Sequence, residues 1–454
     1  MTIDLTIVNG KIFTSEGFKE GGIAIEGESI LKVGKEPSLP KASLRINVKG
    51  ALILPGLIDI HVHLRDFDQK QKETVETGTK AALAGGVTTV VDMPNNKPAM
   101  NSLKQLKKKE ALVVGKAAVN VGFYSLLPET LEEIFSLARG GIFGFKIYPS
   151  ATLYPHKKDE QLQQYMAKIA LTSLPLIIHA DAANAAEKEA ELYSSNLPAI
   201  AAFLKAHPPQ VEAQALKDFI ILNEESKARL HCAHISSKKT TDVLEEYSKK
   251  TNLSSEVCPH YLFLTEKELQ KQQGLAKCLP PLRTTTDQKA LWQALIENKI
   301  KIIATDHAPH RYKEKFCEFE HAASGIAGLE TLLPLMFTAA FKGKISFEGL
   351  IPKLTKNPAQ FLGVADRGEL LAGNFADVIV LAKEKTIIRA EEFQSKAKWS
   401  PFDGFHSAVT LKHVFVNGAH VKDEGHIILK ARTGKLLKSK VKISEERVHP
   451  TEED

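Results

Sequence analysis

Three polar side chains alternate at the end of one apolar run. In GLIDIHVHLRD (residues 56–66), His61, His63 and Arg65 stand at every second position of a segment otherwise typical of a buried strand. Since successive side chains of a strand point to opposite faces, these three share one face. Imidazole nitrogens are ligands for zinc and similar divalent ions. Taken alone, the His61–His63 spacing fits two ordinary core or surface histidines better than a metal pair, so the interpretation depends on the other strand ends.

Further polar groups stand at the ends of other apolar segments. Lys146 lies in FGFKIYPS, His179 follows LPLII, His231 and His234 belong to ARLHCAHIS, and Asp306 belongs to IKIIATDHAP. Each alone has an ordinary explanation: Lys146 could reach the surface along its apolar stem, His179 could be a core histidine, and Asp306 could cap a helix. Five strand ends that bring such groups to one rim favour a joint metal site instead.

The segments that position these groups alternate with helical stretches, which predicts an α/β protein with a (β/α)8 TIM-type barrel. Near-continuous apolar runs are typical of parallel strands covered by helices, and in such a barrel the carboxyl ends of all strands meet at one face. The predicted strands cover residues 57–63, 86–94, 118–125, 143–150, 174–181, 228–236, 254–261 and 300–309.

Both ends of the chain carry short alternating runs and turn signals instead. Asn9-Gly10, Gly27 and Asn417-Gly418 lie between apolar runs and predict hairpins. We therefore expect a small β-sandwich domain built from both termini. The predicted ranges are 1–54 and 366–428 for this domain, 55–365 for the barrel, and 429–454 for a polar tail.

The composition is that of a globular protein. The 454 residues are 43% hydrophobic and 25% charged, with a formal net charge of +6. No apolar run reaches the ~20 residues of a membrane helix, and no signal-peptide pattern is present. Four sparse cysteines show no disulfide framework, which indicates a cytoplasmic protein. The basic runs lack interleaved aromatic residues, so we expect no nucleic-acid partner and no membrane partner.

A collinear series of motifs resembles the strand-end motifs of the amidohydrolase superfamily, and within it those of the dihydroorotases. The series extends in order through nearly the whole chain, which makes it far more specific than any single match. It consists of GLIDIHVHLRD, GVTTVVDMPNNKP, GFKIYPS, HAD, CAHIS, EVCPHYLFLT, ATDHAPH, GIAGLETLLPL, LTKNPAQFLGV and RGELLAGNFADVIVL.

This resemblance implies a binuclear zinc centre. The implied protein ligands are His61, His63 and Asp306 for one zinc ion, and His179 and His234 for the other. Lys146 would bridge both ions as an N-carboxylated lysine, with a hydroxide as the second bridge. A carbamate suits this position because it offers two anionic oxygens, whereas an amine cannot bind two cations.

The resemblance also implies a reaction. N-carbamoyl-L-aspartate would cyclise reversibly to (S)-dihydroorotate with loss of water, the third step of de novo pyrimidine biosynthesis. In the hydrolytic direction Asp306 would accept a proton and pass it to the leaving ring nitrogen. Arg65 would bind the substrate carboxylate through two hydrogen bonds. Further implied substrate contacts are Asn95, His310, Ser324 and Gly325.

Several features leave alternatives open. CPHYL and AKC are also similar to allantoinase sequences, so allantoinase or dihydropyrimidinase (hydantoinase) is the alternative activity. Leu279 stands where many bacterial dihydroorotases carry an asparagine, and contacts of Arg283 or Thr152 with substrate stay open. A non-catalytic relative is disfavoured because every expected ligand is present.

The sequence is less specific about additional ligands and partners. Cys232, Glu256, Cys258 and His260 could hold a third metal ion, although supporting or packing roles are favoured. We expect a small-molecule substrate. A homo-oligomer and an association with aspartate transcarbamoylase stay open.

Overall fold

The chain begins with a run of five strands in the computed structural model, which describes residues 2–148, 159–247, 251–428 and 433–441. They are β1 (Ile3–Thr14), β2 (Gly17–Glu26), β3 (Ser29–Gly34), β4 (Ala42–Asn47) and β5 (Leu52–Pro55). The predicted hairpin at Gly27 is confirmed between β2 and β3. The hairpin predicted at Asn9-Gly10 is wrong, because the left-handed Asn9 (φ +57°) lies in a bulge within β1. The chain turns instead between Thr14 and Gly17.

The middle of the chain alternates strands and helices. The elements are β6 (Leu57–Val62), α1 (Val75–Ala84), β7 (Val87–Asp92), α2 (Leu103–Val113), β8 (Asn120–Phe123), β9 (Ser125–Leu126), α3 (Glu133–Gly140), β10 (Phe145–Ile147), α4 (Asp159–Leu171), β11 (Pro175–Ile178), α5 (Ala185–Tyr193), α6 (Ala199–Ala206), α7 (Pro209–Leu222), β12 (Arg229–Cys232), α8 (Lys238–Tyr247), β13 (Leu253–Val257), α9 (Pro259–Phe263), α10 (Glu266–Gln272), α11 (Thr285–Ile296), β14 (Ile302–Ile303), α12 (Tyr312–Lys315), α13 (Leu332–Phe341), α14 (Phe347–Leu354) and α15 (Lys356–Leu362).

All eight predicted strand segments contain an observed strand, and most are shorter than predicted. The segment predicted over 254–261 ends as a strand at Val257, since Pro259 begins α9. Proline is well suited to the first turn of a helix, where its missing N–H has no partner to lose. The segment predicted over 300–309 keeps only two residues in β14.

The strands of this middle region run parallel. They form one sheet of β6, β7 and β8 and a second sheet of β9 to β14 in chain order. Backbone hydrogen bonds connect the two sheets at both edges, from Phe143 N to Phe123 O (2.8 Å) and from His63 N to His307 O (2.8 Å). The architecture is mixed α/β and consistent with the expected barrel. Because the strands are parallel, the groups that follow their carboxyl ends lie at one side.

The carboxyl-terminal part of the chain returns to strands. They are β15 (Val378–Ala382), β16 (Thr386–Ile387), β17 (His406–Ser407), β18 (Thr410–Val416), β19 (Ala419–Asp423) and β20 (His426–Ile427). The predicted turn at Asn417-Gly418 is confirmed between β18 and β19, with φ values of +48° and +79°. These signs suit the tight turns that match the twist of a hairpin.

Strands from both ends of the chain form one nine-stranded sheet. Its order is β20-β19-β18-β15-β5-β1-β2-β3, with β4 paired to β1. The two halves meet where β5 pairs antiparallel with β15, for example Leu54 opposite Ile379. Ile7, Ile53 and Phe415 belong to the buried apolar cluster of this sheet. Within the described ranges, no helix is both long enough and apolar enough to cross a bilayer.

Candidate metal centre

The first group of candidate ligands lies at the carboxyl end of β6 and just after β14. His61, His63 and Asp306 are all buried, and their donor atoms lie within 4.8 Å of one another. Asp306 Oδ1 is 3.3 Å from His61 Nε2 and 3.0 Å from His63 Nε2. Two imidazoles and a carboxylate that converge on one point form a donor set suited to zinc or a similar divalent ion.

The second group follows β11 and β12. His179 Nδ1 and His234 Nε2 are 2.9 Å apart, and both side chains are buried. The ring of His234 also lies 5.3 Å from that of His61, measured between centroids. The two predicted ligand groups are therefore neighbours, although they come from strands far apart in the chain.

Lys146 on β10 is close to both groups, since its charge acts on His179 and His234 and is itself influenced by Asp306. Its side chain is fully buried, and within the described part of the chain its Nζ has no hydrogen-bond partner. The nitrogen lies 5.0 Å from the centre of the Tyr148 ring. Burial lowers the pKa of Lys146 to about 8. A buried amine without a hydrogen bond is costly, so this position calls for a further group that none of the described residues supplies.

The protonation states suit metal binding. Burial lowers the pKa of His63 and that of His179 to about 4, so both rings are neutral near neutral pH. Burial alone would raise the pKa of Asp306, but His61, His63 and His234 hold that pKa well below its ordinary value. The site therefore offers neutral imidazoles at His63 and His179 and an anionic carboxylate at Asp306.

Hydrogen bonds outside the donor set orient two of the imidazoles. Glu256 on β13 contacts His61 Nδ1, and its other oxygen is 3.1 Å from His231 Nε2. Asn95 Oδ1 accepts from His63 Nδ1 at 2.7 Å. Each contact directs the remaining ring nitrogen toward Asp306, which is how supporting carboxylates and amides fix metal-binding histidines. No spacing in the sequence pairs Glu256 with His61, and Asn95 was predicted only as a substrate contact.

The possible third metal site does not assemble. Among the described residues, Cys232, Glu256, Cys258 and His260 bring no three donor atoms within 4.8 Å of one another. Glu256 is engaged by His61 and His231, and burial raises the pKa of Cys232 and Cys258 well above the ordinary thiol value. Both thiols are therefore kept from the thiolate form that binds metals.

A cationic rim lies beside the ligands. Arg65 Nη2 is 3.3 Å from His310 Nε2, and the same nitrogen of His310 lies 3.0 Å from the carbonyl oxygen of Ser324. Lys72, which the sequence did not single out, reaches His310 Nδ1 at 3.1 Å. With the ring proton on Nε2, His310 donates to the carbonyl oxygen of Ser324 and accepts from Lys72, and Arg65 contacts the ring without a hydrogen bond to it. The guanidinium of Arg65 is buried, and its Nε has no partner among the described residues.

Gly325 lets its backbone lie close to this rim. Its φ is +139°, which side chains rarely adopt, and a Cβ here would lie 2.7 Å from the Cβ of Ala308. Four of the five predicted substrate contacts, namely Arg65, His310, Ser324 and Gly325, therefore lie together.

The loop that presents Arg65 is held by buried polar groups that the sequence did not reveal. Arg65 has φ +59°, and its carbonyl oxygen accepts hydrogen bonds from Asn96 Nδ2 and from Lys109 Nζ. Lys109 also forms a buried ion pair with Asp92, which accepts from the backbone N–H of Leu64 at 2.7 Å. This network fixes the loop in a strained conformation beside the metal ligands.

Two residues with open roles are resolved differently. The guanidinium of Arg283 is buried and engaged by Ser236, Glu212 and the carbonyl oxygen of His207, so the described structure gives it a supporting role. Thr152 lies outside the described residues.

Comparison with known proteins agrees with this site. The model of the amidohydrolase family matches residues 52–421. The chain belongs to the amidohydrolase family. Members of this family are metal-dependent, and the donor groups of the amidohydrolase described here are spaced to hold an ion.

Curated relatives of this amidohydrolase carry more than one activity. A dihydroorotase from Pyrococcus horikoshii is 34% identical over 444 residues, which is 96% of each chain. An allantoinase from Streptomyces avermitilis is 30% identical over 435 residues, 93% of this chain and 96% of the relative. Among solved structures, the L-hydantoinase from Arthrobacter aurescens has a TM-score of 0.92 and 26% identity, covering 96% of this chain and all of that one.

These findings confirm the resemblance to amidohydrolases and dihydroorotases. The protein is an enzyme of the cyclic amidohydrolase class and acts on a small-molecule substrate. The non-catalytic alternative is therefore wrong.

Proposed function

We propose that this enzyme is a dihydroorotase, which interconverts N-carbamoyl-L-aspartate and (S)-dihydroorotate. The observation that carries the proposal is the buried guanidinium of Arg65, which contacts His310 and lies near the ligands His63 and Asp306. Dihydroorotate differs from hydantoins and dihydrouracil by a carboxylate on its ring. A buried guanidinium with an unpaired N–H suits that carboxylate, because charge-assisted bidentate bonds are the strongest of their kind.

We propose a binuclear zinc centre with the predicted ligands. The Nζ of Lys146, which has no hydrogen-bond partner among the described residues and lies near His179 and His234, supports N-carboxylation of this lysine. The neutral amine would attack CO2 and release one proton, which leaves a carbamate with two anionic oxygens. Two bound zinc ions would lower the pKa of a water molecule toward neutrality, and as Lewis acids they would polarise the ring carbonyl.

Asp306 has the position and charge of the proton carrier. Its carboxylate is anionic and is held between His61 and His63 by contacts of 3.3 and 3.0 Å. In the hydrolytic direction it would take a proton from the attacking water and give it to the ring nitrogen as the amide bond breaks. In the biosynthetic direction the same carboxylate would return the proton.

We also propose that the two parallel sheets are one (β/α)8 barrel, spanning 55–365, with a β-sandwich domain from 1–54 and 366–428. The hydrogen bonds between the sheets at Phe123–Phe143 and His63–His307 support a closed ring. The pairing of β5 with β15 supports a domain built from both ends of the chain.

A substrate panel tests the proposed reaction. Zinc-loaded enzyme is assayed side by side with dihydroorotate, allantoin, hydantoin and dihydrouracil, and kcat/KM is compared. We expect dihydroorotate to be favoured by at least about tenfold over each uncharged ring, because only it uses the cationic rim. A preference for allantoin would contradict the proposal and favour the second candidate, which the 30% identical allantoinase supports.

A further inference from the structure

A second cluster of metal-ligating side chains lies on the β18–β19 hairpin, in the nine-stranded sheet. It consists of His413 on β18 and His420 and Asp423 on β19. No part of the proposed cyclic amide chemistry uses these residues. His413 is buried, His420 is largely buried and Asp423 is half-exposed, so the cluster opens to solvent on one side.

A β-bulge places the three side chains on one face. Phe415 pairs with His420, but Val414 pairs with Lys422, so that Val421 is an extra residue on β19. In a regular strand, His420 and Asp423 would point to opposite faces, because side chains alternate. The extra residue reverses the alternation, and the same register sets His413 opposite Asp423.

The distances match those between ligands of one small ion. His413 Nδ1 is 3.3 Å from His420 Nε2 and 3.1 Å from Asp423 Oδ1, and the last two atoms are 3.8 Å apart. A tetrahedral zinc ion with bonds of about 2.0–2.1 Å separates its ligand atoms by about 3.3–3.4 Å. The triangle therefore needs only small side-chain adjustments to hold an ion at its centre.

The surroundings keep the ligands ready. The ring of His420 stacks on Phe415, with centroids 4.5 Å apart, which fixes its orientation. Burial lowers the pKa of both His413 and His420, which favours the neutral form that binds metals. Glu424 lies 3.7 Å from the other nitrogen of His413 and adds negative charge nearby. The neighbouring cation, Lys412, is paired with Glu384 and Glu424.

We propose that His413, His420 and Asp423 bind one zinc ion, with water at the fourth position, separate from the catalytic centre. The ion would link β18 to β19 and stabilise the hairpin. The competing explanation needs no metal: His413 and His420 would be hydrogen-bonded to each other, and Asp423 would interact with both.

Zinc content tests the proposal. Zinc-loaded enzyme is dialysed to equilibrium against low free zinc, and bound zinc is measured by mass spectrometry in the wild type, His420→Ala and Asp423→Asn. We expect each variant to bind one zinc ion fewer per chain than the wild type, with unchanged hydrolase activity. Equal zinc content in all three proteins would overturn the proposal.

His406→Ala is the matched control, because His406 is an exposed histidine on β17, in the separate sheet of β16 and β17, and stands opposite Ile387 rather than a residue of the cluster. It should bind as much zinc as the wild type. Thermal unfolding gives an independent readout: added zinc should raise Tm in the wild type and His406→Ala more than in Asp423→Asn. The same zinc-dependent rise in Asp423→Asn as in the wild type would also overturn the proposal.

Discussion

Arg65 is the residue on which the choice of substrate depends. Its guanidinium is buried beside His310. Arg65→Ala should lower kcat/KM for dihydroorotate by an amount that corresponds to ~2–4 kcal/mol of lost transition-state stabilisation, because a buried charge on the substrate would lose its partner. Activity on dihydrouracil, which carries no carboxylate, should change little. Steady-state kinetics on both substrates give the comparison. Arg45→Ala, which removes an exposed arginine on β4, is the control for the loss of charge. Equal losses on both substrates would contradict this role.

A small carboxylate in solution should partly restore the activity that is lost when Lys146 is removed. Lys146→Ala removes the unpaired Nζ and with it the proposed carbamate, so the variant should lose both bound zinc and activity. Acetate or propionate should restore part of the activity by supplying the missing oxygens, whereas acetamide, a neutral isostere of acetate, should not. Metal analysis and turnover of dihydroorotate measure both effects. Full zinc content in the unrescued variant would contradict the bridging role.

At this scale the sequence predicted the ligands better than their supports. His61, His63 and Asp306 were found because metal-binding residue types recur at strand ends, and the structure brings their donor atoms together. The contact between Glu256 and His61 joins residues on different strands, and no spacing rule connects them. Lys72 was missed because a lysine in a polar loop looks like any solvated surface charge.

Among the elements, the loop after β6 depends on one buried ion pair. Lys109 on α2 donates to Asp92 and to the carbonyl oxygen of Arg65. Lys109→Met should lower the free energy of unfolding by ~3–5 kcal/mol, because the Asp92 carboxylate would be left buried without its cation. Urea denaturation measures this loss.

A double variant separates the ion pair from packing. Lys109→Met with Asp92→Asn should lose less stability than the sum of the two single losses, because the uncompensated charge is gone. Additive losses would show that Lys109 and Asp92 do not act as a pair.

Turn signals were informative only where pairing agreed with them. Asn417-Gly418 forms the expected hairpin, whereas Asn9-Gly10 lies in a bulge of the long strand β1. Both asparagines have positive φ, so the sequence correctly indicates a left-handed residue at each position. The sequence around Asn9 does not indicate which strand the following residues will pair with. β1 continues because Lys11 to Thr14 pair with β2, and that pairing depends on the sheet as a whole.

For the whole molecule, a buried polar network joins the nine-stranded sheet to the parallel strands. Arg367 pairs with Asp377 and donates to Asn417 Oδ1 at 3.0 Å, while Asn417 Nδ2 donates to Asn120 Oδ1 on β8 at 2.9 Å. The sequence predicted one β layer from both ends, since both have the same alternating texture. It could not predict this network, whose members are ordinary loop and strand residues far apart in the chain.

The pairing of β5 with β15 has a consequence during synthesis. Pro55 on β5 pairs with Val378 on β15, which is translated roughly 320 residues later. A ribosome needs about 15–60 s to synthesise that length. Through this interval the nascent chain carries a strand edge with no partner, open to pairing with another polypeptide. The nascent enzyme is therefore expected to be most prone to aggregation before β15 has been translated.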